Sequence, residues 1–264
     1  MSLDPTLLAA GLPATGHICL VGAGPGAADL LTLRAVRRLA EADVVFYDRL
    51  VEPEVVAMAG PRAETVFVGK EVGLHSWPQE KIDAAIVAAA LAGKRVVRLK
   101  SGDPSVFGRA CEEIEAARAA GLPVEIVPGV TAASAAAAQM LRPLTERGQT
   151  DRLVIATATC RPGEQPQRLA ASLTPGTTLA LYMAMHRLHL IRDELLADGI
   201  APDTAIDIVS GAETRRQRML ATRLECVCED VAAAGIGNPA IVFIRIAKPA
   251  LAAGLAETAR LAAG

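Results

Sequence analysis

Short apolar runs alternating with helix-period segments predict an α/β protein of two α/β domains, the N-terminal one with a mostly parallel sheet and the C-terminal one with a mixed sheet. Three observations carry this expectation. Five apolar runs in the first half, at 17–21, 43–47, 64–68, 95–99 and 124–127, each lead into a turn of Gly, Pro, Asp or Lys, and helical segments separate them. In the second half two runs, 205–210 and 218–221, follow one another with Gly211-Ala212-Glu213-Thr214 between them, which reads as a hairpin and mixes the sheet. Apolar residues make up 52% of the 264 residues while aromatics are only 3%, so the cores must be built from Ala, Val, Leu and Ile.

Taken in order, residues 1–15 hold Pro5, Gly11 and Pro13 with no sustained period and read as a flexible leader. The first domain, 16–129, places helices at 32–41, 54–59, 79–92 and 110–120 between its strands. Residues 130–140, VTAASAAAAQM, form a helix of small residues suited to close packing, and 130–150 as a whole is a linking helix and loop. The second domain, 151–250, has strands at 153–157, 178–183, 205–210, 218–221 and 240–246, with helices at 165–172, 186–198 and 228–234. Residues 251–264 are an Ala-rich tail.

The formal net charge of -2 provides no general attraction for nucleic acid or an anionic membrane, so an anionic ligand must be met by locally placed arginines. Five cysteines, none in a C-x-x-C pair, suit reduced thiols better than a disulfide framework. His186 and His189 stand at i, i+3, but no further ligands follow at zinc spacing, so no metal is expected. No apolar run approaches the roughly 20 residues of a membrane span. Nor is there a basic-then-apolar signal at the N-terminus, and a soluble cytoplasmic protein is expected.

In open parallel sheets the ligand crevice lies beyond the carboxyl ends of the strands. The loops there are Gly22 to Gly26, Asp48-Arg49, Gly69-Lys70, Ser101-Gly102-Asp103-Pro104 and Pro128-Gly129. The first, VGAGPG, fits a dinucleotide fingerprint through Gly22, Gly24 and Ala27, with Asp43 or Asp48 as the ribose acid. Pro25 opposes that reading, because it has no N–H to offer a pyrophosphate and fixes φ. A tight structural turn and a loop for another nucleoside-type ligand stay open. The densest polar cluster is LKSGDPSVFGRACEE, 99–113. Arg109 and Glu112 share a helix face at i, i+3, where an arginine can clamp a carboxylate and an acid can take a proton. Glu112 also has the simpler role of answering the helix dipole, and for Glu113 that role is the expected one. Arg147 follows the linking helix as a further cation. No nucleophile elbow, triad or Walker A lysine occurs.

VGAGPG, YDRLV (47–51), VGK (68–70), RLKSGDP (98–104), FGR-x-x-EE (107–113), VPGVTAAS (127–134), YMAM (182–185) and NPA (238–240) occur in order. With this set, spread over 16–247, the chain resembles the S-adenosylmethionine-dependent tetrapyrrole methyltransferases, whose own form of the first turn is GAGPG. The resemblance implies two α/β domains with the cofactor, S-adenosylmethionine, folded in the cleft between them, and no metal. It implies cofactor contacts from Pro25, Gly102, Asp103, Val106, Thr131, Ala132, Met183, Ala212, Pro239 and Ala240. Arg109, Arg147 and Arg49 would bind the carboxylates of the tetrapyrrole, and Glu112, with Asp48 as second choice, would remove a proton. It further implies a homodimer. The implied reaction is that of the branch that methylates uroporphyrinogen III at C2 and C7 to precorrin-2, releasing S-adenosylhomocysteine. Without an accompanying oxidase or chelatase segment, only the methylation step is expected.

The chain departs from the family pattern at Ser101, Ser105, Ala110-Cys111, Glu146 and the ATAT at 156–159. Glu146 sets a negative charge beside Arg147, and Ser105 removes an apolar wall. The rival functions are a later corrinoid-pathway methyltransferase, a methyltransferase of the same fold for RNA or a protein histidine, an NAD-dependent oxidoreductase, and a non-catalytic ligand-binding relative.

Overall fold

The computed structural model describes residues 16–69, 77–159 and 168–249. The expected leader 1–15 and tail 251–264, together with Lys70, Cys160 and the first residues of the helix expected over 165–172, lie outside the described residues. The chain divides into two compact units, the first ending at Ala135 and the second beginning at Ala136.

The first unit is a five-stranded, all-parallel sheet: β1 (His17–Gly22), β2 (Val44–Tyr47), β3 (Glu64–Phe67), β4 (Arg95–Lys100) and β5 (Val124–Val127), in the order β3-β2-β4-β1-β5. The central strand β1 is buried at all six residues, as a parallel strand covered on both faces must be. One face packs Cys19, Val21, Val45, Val97 and Leu99 against Ala35 and Leu39 of α1 (Leu33–Glu41) and Val55 of α2 (Pro53–Val56). The Oγ1 of Thr32 caps α1 by accepting from the Ala35 amide at 3.2 Å. The other face packs Ile18, Leu20, Val44, Phe46 and Val96 against α3 (Gln79–Leu91) and α4 (Ala110–Ala119). In α3, Ile82, Ile86 and Ala90 are spaced i, i+4, i+8 and supply its buried stripe.

This order has a switch point. The chain leaving β1 crosses over one face, through α1, to β2, whereas the chain leaving β4 crosses the opposite face, through α4, to β5. β1 and β4 are neighbours, so their exits part company and leave a crevice at their carboxyl ends.

The second unit follows α5 (Ala132–Gln139), whose last residues belong to it. Its sheet runs β6-β7-β10-β8-β9, with β6 (Arg152–Thr157) parallel to β7 (Thr177–Tyr182). The remaining pairs, among β7, β8 (Ala205–Ser210), β9 (Arg218–Arg223) and β10 (Ala240–Ile246), are antiparallel. The β8–β9 hairpin is present, and the sheet is mixed as the sequence predicts. Leu179, Leu181, Ile206, Ile208, Val242 and Ile244 face α6 (Leu188–Ala197) and α7 (Val227–Ala234). On α6, Leu188, Ile191 and Leu195 complete the core. Residues 186–187 fall in a 3-10 turn before α6 begins, and 169–172 form a 3-10 turn where a longer helix was expected.

Asp43 sits just before β2, at the edge opposite the post-strand loops, so it cannot serve as a ribose acid for the first loop. Its carboxylate takes the Arg95 amide at 2.8 Å and the Arg95 guanidinium at 2.7 and 3.0 Å. These bonds hold it at about 2, below the ordinary 3.8. Because the folded value is the lower one, the pair stabilises the fold above about pH 4 and loses that contribution as pH falls towards 2. At 41% exposure of the Asp43 side chain it contributes about 1 kcal/mol or less. Asp43→Asn is therefore expected to be slightly less stable than the parent at neutral pH. That gap should close between about pH 4 and 2 in denaturant titrations.

Candidate active site

The crevice edge of the first unit is closed by backbone rather than side chains. The Ala23 amide donates to Lys100 O at 2.8 Å, and Gly24 and Gly102 exchange amide bonds of 3.2 and 2.7 Å. The Gly129 amide donates to Asp103 Oδ2 at 3.0 Å. Three glycines permit this approach. A Cβ on Gly22 would lie 2.5 Å from Gly129 N and 2.8 Å from Gly102 O, and one on Gly129 would run into Gly102 O and lie 2.8 Å from Gly22 Cα. Gly24, at φ +68, makes the turn.

These bonds remove the basis of the dinucleotide reading. The Ala23 and Gly24 amides are spent on protein carbonyls, Pro25 has none, and α1 does not begin until Leu33, beyond a 3-10 turn at Ala28–Leu30. Among the described residues, no helix N-terminus follows the loop directly to receive a pyrophosphate. The glycines serve loop-to-loop contact first.

This ledge gathers Pro25, Gly102, Asp103, Thr131 and Ala132 of the residues singled out from sequence. Half-buried Pro25 follows the Gly24–Gly102 bridge. Gly102 lies against Thr131 and Ala132, where a Cβ would be 3.6 Å from Ala132 N and 3.8 Å from Thr131 Cα. Asp103 Oδ1 accepts from the Ser105 amide at 2.8 Å and from its hydroxyl. Ser105, a departure from the family pattern, thereby anchors this turn. Burial raises the Asp103 carboxyl, but the Ser105 and Gly129 donors outweigh it and hold the group below its ordinary value. Val106 is half-buried one step further on, its amide donating to Asp103 O at 3.1 Å.

Beyond Val106 the backbone is strained. Phe107 and Arg109 adopt left-handed conformations at φ 53 and 55, which non-glycine residues seldom do outside functional loops. Arg109 is the left-handed cap of α4, and its guanidinium binds the Glu112 carboxylate at 2.8 Å, as the i, i+3 spacing predicts. Arg109 is exposed and Glu112 half-buried. Arg49 is exposed after β2.

The expectation for Glu113 needs correction. It is 0% exposed and does not merely answer the α4 dipole. Glu113 takes Lys100 Nζ at 2.6 Å and Arg98 Nε at 3.1 Å, and Arg98 and Lys100 are each only 4% exposed. Gln79 adds a bond at 3.4 Å. Arg98 also donates to Leu99 O at 2.6 Å and to Asp48 Oδ2 at 3.4 Å. Burial and the Arg98 charge push the Lys100 ammonium down, and Glu113 opposes them. Sequence reasoning missed Arg98 and Lys100. Two cations at i, i+2 on a strand that must be buried on both faces were the available signal.

The second unit repeats the arrangement at one end of its own sheet. The ends of β7 and β8 and the start of β10 are neighbours there, through Ile241 opposite Tyr182 and Ala240 opposite Ser210. Met183, Ala212, Pro239 and Ala240 therefore come together, with the Gly211 amide on Pro239 O at 2.8 Å. Met183 and Glu213 are left-handed at φ 56 and 62. Met183 is 43% exposed, and its sulfur accepts from Thr159 Oγ1 at 3.6 Å, within the ATAT departure. The Ala212 loop is tied to α5 by Gln139, which donates to Glu213 at 2.5 Å and accepts from Gln217 at 3.0 Å. Arg147 is exposed in the loop after α5, and Glu146 accepts from Gln149 at 2.8 Å.

In each unit, then, an exposed apolar side chain (Phe107, Met183) sits in a strained loop beside backbone turns and polar groups. Among the described residues no group of three or more His, Cys, Asp or Glu could hold a metal, and no helix is long and apolar enough to cross a membrane.

Residues 17–227 match the family model described as Tetrapyrrole (Corrin/Porphyrin) Methylases. The chain is 43% identical over 233 residues to a siroheme synthase of Methylococcus capsulatus, and 45% identical over 213 residues to one of Tolumonas auensis. The matches cover 88% and 80% of this chain but 49% and 45% of the relatives, so the chain spans about half their length. A crystal structure of uroporphyrin-III C-methyl transferase from Thermus thermophilus with S-adenyl homocysteine superposes with a TM-score of 0.75 at 40% identity, over 87% of this chain and 97% of that one. A cobalt precorrin-4 methyltransferase superposes with a TM-score of 0.77 at 27% identity, over 89% and 98%.

Gly22→Ala and Gly129→Ala are each expected to destabilise the protein by about 3 kcal/mol or more, since the new methyl meets backbone that cannot rotate away. The two changes should be non-additive in thermal unfolding, because they press on the same contact.

Proposed function

Since this chain belongs to the tetrapyrrole (corrin/porphyrin) methylases, we propose that it is an S-adenosylmethionine-dependent C-methyltransferase whose acceptor is uroporphyrinogen III. Two methyl groups are added, at C2 and C7, to give precorrin-2. The observation that carries this choice is the 40% identity to a uroporphyrin-III enzyme, against 27% to a precorrin-4 enzyme whose fold agrees equally well.

S-adenosylmethionine supplies, when bound, a methyl group already activated on a sulfonium, for attack by an electron-rich pyrrole carbon. The chain supplies alignment and exclusion of water. Pro25, Gly102, Asp103, Val106, Thr131 and Ala132 contribute the donor contacts of the first unit, and Met183, Ala212, Pro239 and Ala240 those of the second. The rigidity of the glycine ledge and the strained, exposed Met183 support this assignment.

Arg109, Arg147 and Arg49 are exposed guanidinium groups that bind substrate carboxylates in bidentate fashion. A substrate carboxylate that engages Arg109 competes with Glu112 for it. Glu112, half-buried beside Arg109, takes the proton that leaves as the macrocycle rearranges. Asp48, half-buried at the end of β2, is the second proton-handling carboxylate. The homodimer belongs to the same proposal, as do the siroheme and cobalamin pathways as destinations.

Anaerobic incubation with uroporphyrinogen III and S-adenosylmethionine, followed by mass and absorbance, should give a product carrying two added methyl groups. No methylation of this acceptor, with methylation of a later precorrin instead, would overturn the choice. Glu112→Gln should lower kcat by about a hundredfold while S-adenosylhomocysteine binds within about twofold of the parent. Arg109→Ala should raise KM for the acceptor by about tenfold.

A further inference from the structure

Asp48 directly follows β2, with its two carboxylate oxygens in different company. Oδ1 accepts from the Leu50 amide of its own loop at 3.0 Å, and Oδ2 faces Arg98 Nη2 at 3.4 Å. Arg98 reaches it from β4, where Phe46 of β2 is its register partner. The guanidinium is held at every nitrogen: Nη1 on Leu99 O, Nε on Glu113, Nη2 on Asp48. Glu113 is in turn held by Lys100. The inner three groups, Arg98, Lys100 and Glu113, carry two positive charges and one negative. Asp48 is the second anion that balances them.

Exposure separates the roles. The Asp48 side chain is 29% exposed and open to a reactant, whereas those of Arg98 and Glu113 are 5% and 0% exposed. We propose that Arg98, locked by Glu113, is a positioning residue that fixes the Asp48 carboxylate for proton handling and acts on the reaction only through it. The inference rests on the reading of Asp48 given above. The Leu50 amide holds Oδ1 and the anchored guanidinium holds Oδ2, so both carboxylate oxygens are fixed, and loss of Arg98 leaves Oδ2 free to turn about χ2 while the Leu50 bond remains.

A purely structural ion cluster makes a different prediction, because its loss affects folding and all ligands alike. The full chain is assayed with uroporphyrinogen III at saturating S-adenosylmethionine as the parent, Asp48→Asn, Arg98→Met, Arg98→Lys and the double variant Asp48→Asn/Arg98→Met. Calorimetric binding of S-adenosylhomocysteine reports on folding. Arg98→Met is expected to lower kcat by about tenfold with KM and S-adenosylhomocysteine affinity within about twofold. Arg98→Lys should restore part of that loss, and the double variant should be no slower than Asp48→Asn alone. A double variant slowed by the product of the two single effects would overturn the proposal, as would Arg98→Met at parental kcat. Asp48→Asn at parental kcat would instead remove the underlying reading of Asp48, and the proposal with it. If Arg98→Met fails to bind S-adenosylhomocysteine, Arg98→Lys completes the same cycle with Asp48→Asn under the same criteria.

Discussion

Contact between bare backbones at Gly22, Gly102 and Gly129 is the constraint on which the first unit's working edge depends. β1, β4 and β5 are adjacent in the sheet, and the loops after them must share the space above their carboxyl ends. The chain leaves β1 and β4 over opposite faces, and the loops that follow close on one another. A side chain at Gly22 or Gly129 would hold them apart, and Gly102 contributes the carbonyl they close on and a turn at φ +69. The amide bonds that follow, from Ala23, Gly24, Gly102 and Gly129, turn three loops into one ledge. The same bonds decide what the ledge can hold. The Ala23, Gly24, Gly102 and Gly129 amides are taken by protein acceptors and are not offered to an anion such as a pyrophosphate.

Beneath the ledge, one face of β4 changes character along its length. Val96 packs into the apolar layer over α3 and α4, and Arg98 and Lys100, one and two pleats on, are charged. Buried charges are tolerated when they are paired and hydrogen-bonded, and removing one partner leaves the others uncompensated. Glu113 meets that requirement from α4, and in doing so it sets which face of the helix turns inward. Arg109 is exposed and Glu112 half-buried as a consequence. The residue expected to be the least interesting of the three acids and bases at this helix start is therefore the one that orients the other two.

The second unit reaches a comparable arrangement by antiparallel pairing. Strands β7 and β8 end where β10 begins, so residues far apart in sequence share one edge. Left-handed Met183 and Glu213 store strain there, and the Gln139–Glu213–Gln217 ring supports the Ala212 loop. Phe107 and Arg109 in the first unit and Met183 in the second present their side chains outward from these strained positions, whereas Glu213 turns to Gln139.

The amino-acid sequence by itself determined the strand and helix order, the parallel and mixed sheets, and the family, because hydrophobic period, turn chemistry and ordered motifs are local properties that survive without coordinates. It also marked the Arg109–Glu112 pair, since i, i+3 on a helix is a local geometry. Only the tertiary structure decided what the glycines touch, that Asp43 faces the wrong edge, and that Glu113 is buried with Arg98 and Lys100. Each of these depends on residues brought together from different strands. A spacing in sequence does not carry the distance between two chain segments, and burial and charge pairing are set by that distance.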